Sequence, residues 1–279
     1  MLQKPKEICY YAPELEAVIS NDEVRCFAKT AQNDIEQTIK ELGLTLRRAE
    51  LRDYSAIRKL LTERFNPPTS TQISFYDAYR SIRYGYSVVL EDSEGQIVGY
   101  DYSLGYDDDD KTSFGLNIAI AQEWSGYKLQ TLVSTYTSLI GMERGSRIRR
   151  GIVHPSNYTS LHNLLNNTGF LCEQFFPYLP GFESSRFILS FGLTPAEMMN
   201  NRVDIEKTLR FIQEKKAGTD YSLVECDDEN AIAELYEKTS FRVVAFVKEG
   251  LVSDKNLLLA VPYEQMDFPS SSLEYAQIG

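Results

Sequence analysis

Between Tyr86 and Ala121 the chain carries three consecutive runs of strand length, YSVVLED, IVGYDYSLGY and TSFGLNIAIA. The first two are joined by the turn SEGQ and the last two by the acidic connection DDDDK. Runs this short, rich in β-branched and aromatic residues and punctuated by turn residues, read as strands, and such short links join neighbours antiparallel. A meander of this kind needs helices to cover its faces, which limits the chain to a mixed fold in which a mostly antiparallel sheet is flanked by helices.

The flanking sequence supplies those helices. Val24, Phe27, Ala28, Ala31, Ile35, Ile39 and Leu42 follow helical spacing up to Gly43. TLRRAEL then reads as a strand, Asp53 as a helix cap, and YSAIRKLLTERF as a helix that Asn66, Pro67 and Pro68 stop. A second helix is expected over about Ser74 to Arg83. After the meander come a long helix within Ser125–Arg144, a strand in RIRRGIVH, a helix in NYTSLHNLLNNTGF closing on Gly169, and strands in FLCEQFFPYL and SRFILSFGL. The order is β, α, α, β, β, β, α, β, α, β, β.

Beyond Pro195 a shorter tract repeats part of that order. It has a helix in DIEKTLRFIQEKK, a strand in YSLVECD, a helix in ENAIAELYEKTSF, and strands in RVVAFV and NLLLAVP. Four segments follow: a helical extension over 1–43, a main domain over 44–193, a partial unit over 194–268, and a flexible tail over 269–279.

The 279 residues are 43% hydrophobic, enough for a substantial core, and the net charge of −11 argues against a nucleic-acid partner, which phosphate would draw to clustered Lys and Arg. Cys9, Cys26, Cys172 and Cys226 are widely spaced and the chain has only two histidines, so neither a metal site nor a disulfide framework is expected. No apolar run reaches the length of a signal peptide or a membrane span, so a cytoplasmic location is expected.

The chemistry concentrates in two segments. In LNIAIAQEWSGYKLQTLVSTYTSLI an apolar strand enters a long helix through a short turn containing Gly126, which can offer free backbone N–H groups and the positive end of a helix dipole to a phosphate. In GIVHPSNYTSLHNLLNNTGF a strand ends at His154, Pro155 and Asn157 and leads into a helix ending at Gly169 and Phe170. Read locally, Asn157 is an N-cap and Gly169 a C-cap. A histidine such as His154 titrates in a range useful to a general base, although a lone histidine is more often structural. Asp107–Asp110 would attract a cation or simply form a solvated turn, and Tyr100, Tyr102 and Tyr106 alternate onto one strand face.

Taken together, these two segments in this element order resemble the GNAT superfamily of acyl-CoA N-acyltransferases over about residues 44–193. Gln122, Ser125, Gly126, Tyr127 and Lys128 occupy the family's phosphate turn, with Lys128 where a second small residue is usual. Asn157 and Ser160 match its N-x-x-S signature and Gly169 with Phe170 its end, the helix between being one residue longer. The resemblance implies acetyl-CoA or another acyl-CoA as cosubstrate, held by Ile118, Ala119, Ile120, the turn residues and Leu129, with Asn117–Ala121 and Val153–Asn157 flanking the thioester. It implies direct attack by a primary amine of a small molecule or peptide. The family's acid tyrosine is replaced by Leu165, which leaves Tyr158 or Tyr127 as acid and His154, Asp101 or Glu173 as base. Residues 203–264 resemble a degenerate half of the same unit, lacking a phosphate turn and carrying Tyr236 at the acid position as a packing residue. Its exposed sheet edges imply docking on the first domain or pairing with a second copy in a homodimer.

Overall fold

The computed structural model describes residues 21–65, 74–105, 111–195, 198 and 203–263. Asp107–Asp110, Tyr106, the stretch before residue 21 and the expected tail lie outside the described residues. Strands β1 (Thr45–Arg48), β2 (Val88–Glu91), β3 (Ile97–Gly105), β4 (Thr112–Ile120), β5 (Ile148–Val153), β6 (Leu171–Leu179) and β7 (Ser184–Gly192) form one sheet in the order β1-β2-β3-β4-β5-β7-β6. Neighbours are antiparallel except β4 and β5. That step is parallel because helix α4 (Leu129–Glu143) carries the chain back between them, as a parallel connection requires.

Helix α1 (Asn21–Glu41) packs on α4, and Gly43, at φ +78°, closes it by turning the Gly43 and Leu44 amides back to the carbonyls of Lys40 and Ile39. Helices α2 (Tyr54–Arg64) and α3 (Phe75–Tyr84) touch through Tyr54 and Phe75, whose rings lie 5.1 Å apart. Alternation along β3 separates the layers. Tyr102 points toward Tyr54 on α2, while Asp101 meets Thr137 on α4. Asp53 does not cap α2 with its side chain. Its carboxylate instead accepts from the Glu50 N–H and from both ends of the Arg47 fork, which ties β1 to the turn before α2.

After β5, helix α5 (Tyr158–Leu161) continues into a π-helical turn over His162–Asn167. The additional residue noticed between Asn157 and Gly169 is absorbed there, since a single insertion in an α-helix widens one turn to i→i+5 spacing. Gly169, at φ +78°, then lets the Phe170 N–H reach the Leu164 carbonyl, a glycine C-cap.

Helix α6 (Ile205–Glu214), β8 (Ser222–Glu225), helix α7 (Glu229–Lys238), β9 (Phe241–Val247) and β10 (Leu257–Pro262) follow. Their sheet is ordered β8-β10-β9 and wholly antiparallel, the order of β5-β7-β6 in the first sheet. The central strand, LLLAV in β10, is buried throughout because both faces are covered. Leu258 and Ala260 join the core of the first sheet, whereas Leu257, Leu259 and Val261 pack under Phe211 and Ile212 of α6.

A side-chain amide secures that docking. Asn166, 6% exposed in the π turn, donates through Nδ2 to the Phe246 carbonyl at 2.7 Å and accepts from the Phe246 N–H at 2.9 Å. The pair of bonds satisfies the edge of β9 as another strand would. Asn166→Ala strands both backbone groups in the interior, and chemical denaturation should read a loss of about 2–4 kcal/mol. Tyr236 lies at the same junction, donating to the Cys172 carbonyl and accepting from the Val243 N–H among the rings of Phe175 and Phe187.

Candidate active site

The β4–β5 ladder runs only from Thr112↔Ile148 to Gly115↔Gly151, although β4 continues to Ile120 and β5 to Val153. Past Gly115 only β3 pairs with β4, so the edge of Leu116–Ile120 toward β5 keeps its backbone groups free of any strand among the described residues. The divergence begins at a bulge. Tyr102 pairs with Asn117 and Ser103 with Gly115, leaving Leu116 unpaired, and a bulge bends its strand and increases the twist. Gly115 lies close to Arg149: a Cβ there would sit 3.1 Å from the guanidinium, a tight contact.

β4 delivers the chain into a 3₁₀ turn over Gln122–Trp124 and then into Ser125, Gly126, Tyr127 and Lys128, all four exposed. Gly126 has φ +89° and open space where a side chain would stand, so its backbone is accessible to a ligand. Lys128, at φ +59° and ψ 18°, adopts the left-handed conformation that glycine prefers, which explains why a small residue is usual there. No side chain caps α4 and no acidic residue lies in its first turn. The amides that open α4 are therefore presented with the positive end of the dipole, and Arg64 reaches the turn by donating to Gln122. Asn163 on the π turn donates to Gln130 at 2.7 Å, bracing this end of α4 against the helix after β5.

On the other wall Asn157 accepts from the Ser160 N–H at 3.2 Å, the N-cap that its local sequence predicts. A strand pair that opens beside an uncapped helix N-terminus is now complete. The architecture is that of the GNAT fold. No protein-family model matches the chain, and no curated protein does. Among solved structures the chain is similar to Ard1 from Thermoplasma volcanium, at 13% identity and a TM-score of 0.48 over 55% of this chain and 99% of that one. It is also similar to the ribosomal-protein-S18-alanine N-acetyltransferase from Escherichia coli, at 14% identity and a TM-score of 0.45 over 54% and 94%. A spermidine N-acetyltransferase from Vibrio cholerae gives 16% identity and 0.43 over 54% and 94%.

His154 follows β5 directly. Its Nδ1 accepts from the Ser156 N–H at 3.1 Å and lies 2.8 Å from the Ser156 hydroxyl, so the neutral ring carries its proton on Nε2. Partial burial and the charge of Arg186 hold the imidazole below its ordinary range, against the opposing pull of Glu229. His154 is thus neutral at pH 7. Tyr158 donates its phenol proton to Asp227, and that bond pushes the phenol up to about 12.

The two carboxylates named as alternative bases are engaged elsewhere. Consecutive arginines on β5 point to opposite faces, and each has its own acid. Asp101, 1% exposed, accepts from Arg149 at 3.0 Å, Thr137 at 2.8 Å and Ser103 at 2.6 Å. Glu173 accepts from Arg150 at 3.2 Å. Both neutralise buried guanidiniums, and an acceptor so committed offers little to a substrate proton. Sequence reasoning passed over Arg149 and Arg150, although two adjacent charges inside an apolar strand are a signal that two buried partners must exist.

Leu165 is fully buried, so the helix after β5 brings no hydroxyl to the position of the missing tyrosine. Tyr127 is 52% exposed and packs on Trp124 with ring centres 5.7 Å apart. No group of three or more His, Cys, Asp or Glu able to hold a metal occurs among the described residues, and no described helix is long and apolar enough to cross a membrane.

Proposed function

We propose that the chain is a cytoplasmic acyl-CoA-dependent N-acyltransferase that moves an acetyl or longer acyl group to a primary amine of a small molecule or peptide. One observation carries the reading: a sheet opened between β4 and β5 immediately beside a helix N-terminus that no side chain caps. The pyrophosphate binds the amides from Gly126 into the first turn of α4, with Lys128 and Arg64 adding positive charge. The pantetheine arm, an extended chain bearing amides, bonds the free edge of Asn117–Ala121 as an added strand would. Its thioester then lies between that edge and Val153–Asn157.

The amine attacks the thioester carbon directly, and the C–S bond breaks as the C–N bond forms. The Ser156 hydroxyl hands its proton to His154 Nδ1, whose lone pair it shares with the Ser156 N–H, and takes the proton of the attacking amine, a path that the 2.8 Å contact prepares. The departing thiolate, of ordinary acidity near 8.5, takes its proton from water, since Tyr158 keeps its own on Asp227. The tract 203–263, whose strand order repeats β5-β7-β6, is a partial copy of the same unit.

A binding module without turnover is the second reading, favoured by the buried Leu165 where an acid would stand. Calorimetric titration with acetyl-CoA, a long-chain acyl-CoA and free coenzyme A tests both. Saturable binding with transfer to an amine from a panel supports the enzyme, binding without transfer supports the module, and no binding to any of the three removes both.

A further inference from the structure

The segment Glu225-Cys226-Asp227-Asp228-Glu229-Asn230, from the end of β8 through the turn into the first residues of α7, reaches the opening of the first sheet twice. Cys226, 1% exposed, anchors it in the shared core, and Asp228 caps α7 by accepting from the Ala231 N–H at 2.9 Å. Glu225 pairs with Lys255 at 2.7 Å within its own unit, whereas Asp227 and Glu229 bond to residues of the first unit. Asp227 takes the Tyr158 phenol proton. Glu229 Oε1 accepts from the Ser185 hydroxyl at 2.6 Å and stands 4.0 Å from His154 Nε2. Ser185 is 1% exposed, so one oxygen of the half-exposed Glu229 carboxylate is tied to a buried hydroxyl on β7.

We propose that Glu229 is a positioning residue for His154, supplied to the first sheet's opening by the second sheet's turn. With Ser156 on Nδ1 and Glu229 facing the proton on Nε2, the ring is held in one tautomer and its Nδ1 lone pair is directed to Ser156, shared between the N–H and the hydroxyl. When Nδ1 takes up a proton, the carboxylate offsets the charge that Arg186, across on β7, opposes. Arg186 cannot retreat, because it donates to the Ser185 carbonyl and the Ser184 hydroxyl and stacks on Phe182 at 4.8 Å. The second sheet is on this account part of the site. The consequence for turnover rests on the acyltransferase reading, whereas the pairing does not.

Only two histidines are present, so imidazole NMR titration reads the pair directly, with His162→Asn giving the assignment. Glu229→Gln, which still accepts from Ser185, should move the His154 midpoint to lower pH and leave His162 in place. Glu229→Asp, charged but one methylene shorter, should fall between. In transfer assays Glu229→Gln should lower kcat roughly fivefold, the upper end for a half-exposed ion pair, with KM for acetyl-CoA unchanged and the acid limb displaced in the same direction. An unchanged His154 midpoint in both folded variants overturns the proposal whatever the assay reads. A displaced midpoint in a protein that binds no acyl-CoA upholds the pairing and defeats the acyltransferase reading instead.

Discussion

Asp101→Ala should lower the unfolding free energy by about 3–5 kcal/mol, the usual cost of leaving a buried charge without its partner. Arg149 is 3% exposed and loses the carboxylate that pairs with it, while Thr137 and Ser103 lose an acceptor. The guanidinium already has one unbonded nitrogen, Nη1, so it has no slack with which to compensate. Urea denaturation measures the loss. The double variant Asp101→Ala/Arg149→Met removes both charges and should recover most of it, since an apolar pair of similar volume is often as stable as a buried ion pair. The double variant also separates stability from chemistry. Transfer activity that survives in it excludes Asp101 as the base; activity lost from the restored fold would return that role to Asp101 and displace His154.

Gly126→Trp should reduce acetyl-CoA affinity at least a hundredfold while the fold survives. Two hydrogen bonds to a charged phosphate are together worth about 3–6 kcal/mol, and the indole would stand over the amides that make them. The space at Gly126 is open, so the ring meets no protein atoms, and the left-handed φ costs only about 1–2 kcal/mol. Calorimetry with circular dichroism as a control decides it. Unchanged affinity in the folded variant would remove the pyrophosphate from this turn.

Local patterns made much of the architecture legible beforehand. Each strand of the first sheet falls on an expected run, β7 beginning one residue earlier at Ser184, and Asn157 and Gly169 cap the helix after β5 as their positions predict. The residues whose partners the local pattern did not foresee share one trait. Asp53 looks like a cap from its neighbours but is taken by Arg47 on β1, and Asp101 and Glu173 look like free carboxylates but answer to Arg149 and Arg150. Tyr158, considered as an acid, is held by Asp227, 69 residues away. A window around one member of such a pair does not say which group its partner will be.

The sequence by itself therefore determined the order of elements of the first sheet, the turn at Gly126 and the caps at Asn157 and Gly169, because periodicity, glycine conformation and capping act within a few residues. Only the tertiary structure decided where β4 leaves β5, how the added residue before Gly169 becomes a π turn, that Asn166 closes the edge of β9, and that Glu229 faces His154. Those outcomes depend on desolvation and hydrogen-bond partners brought together from distant parts of the chain. No local pattern encodes which buried group will find which partner.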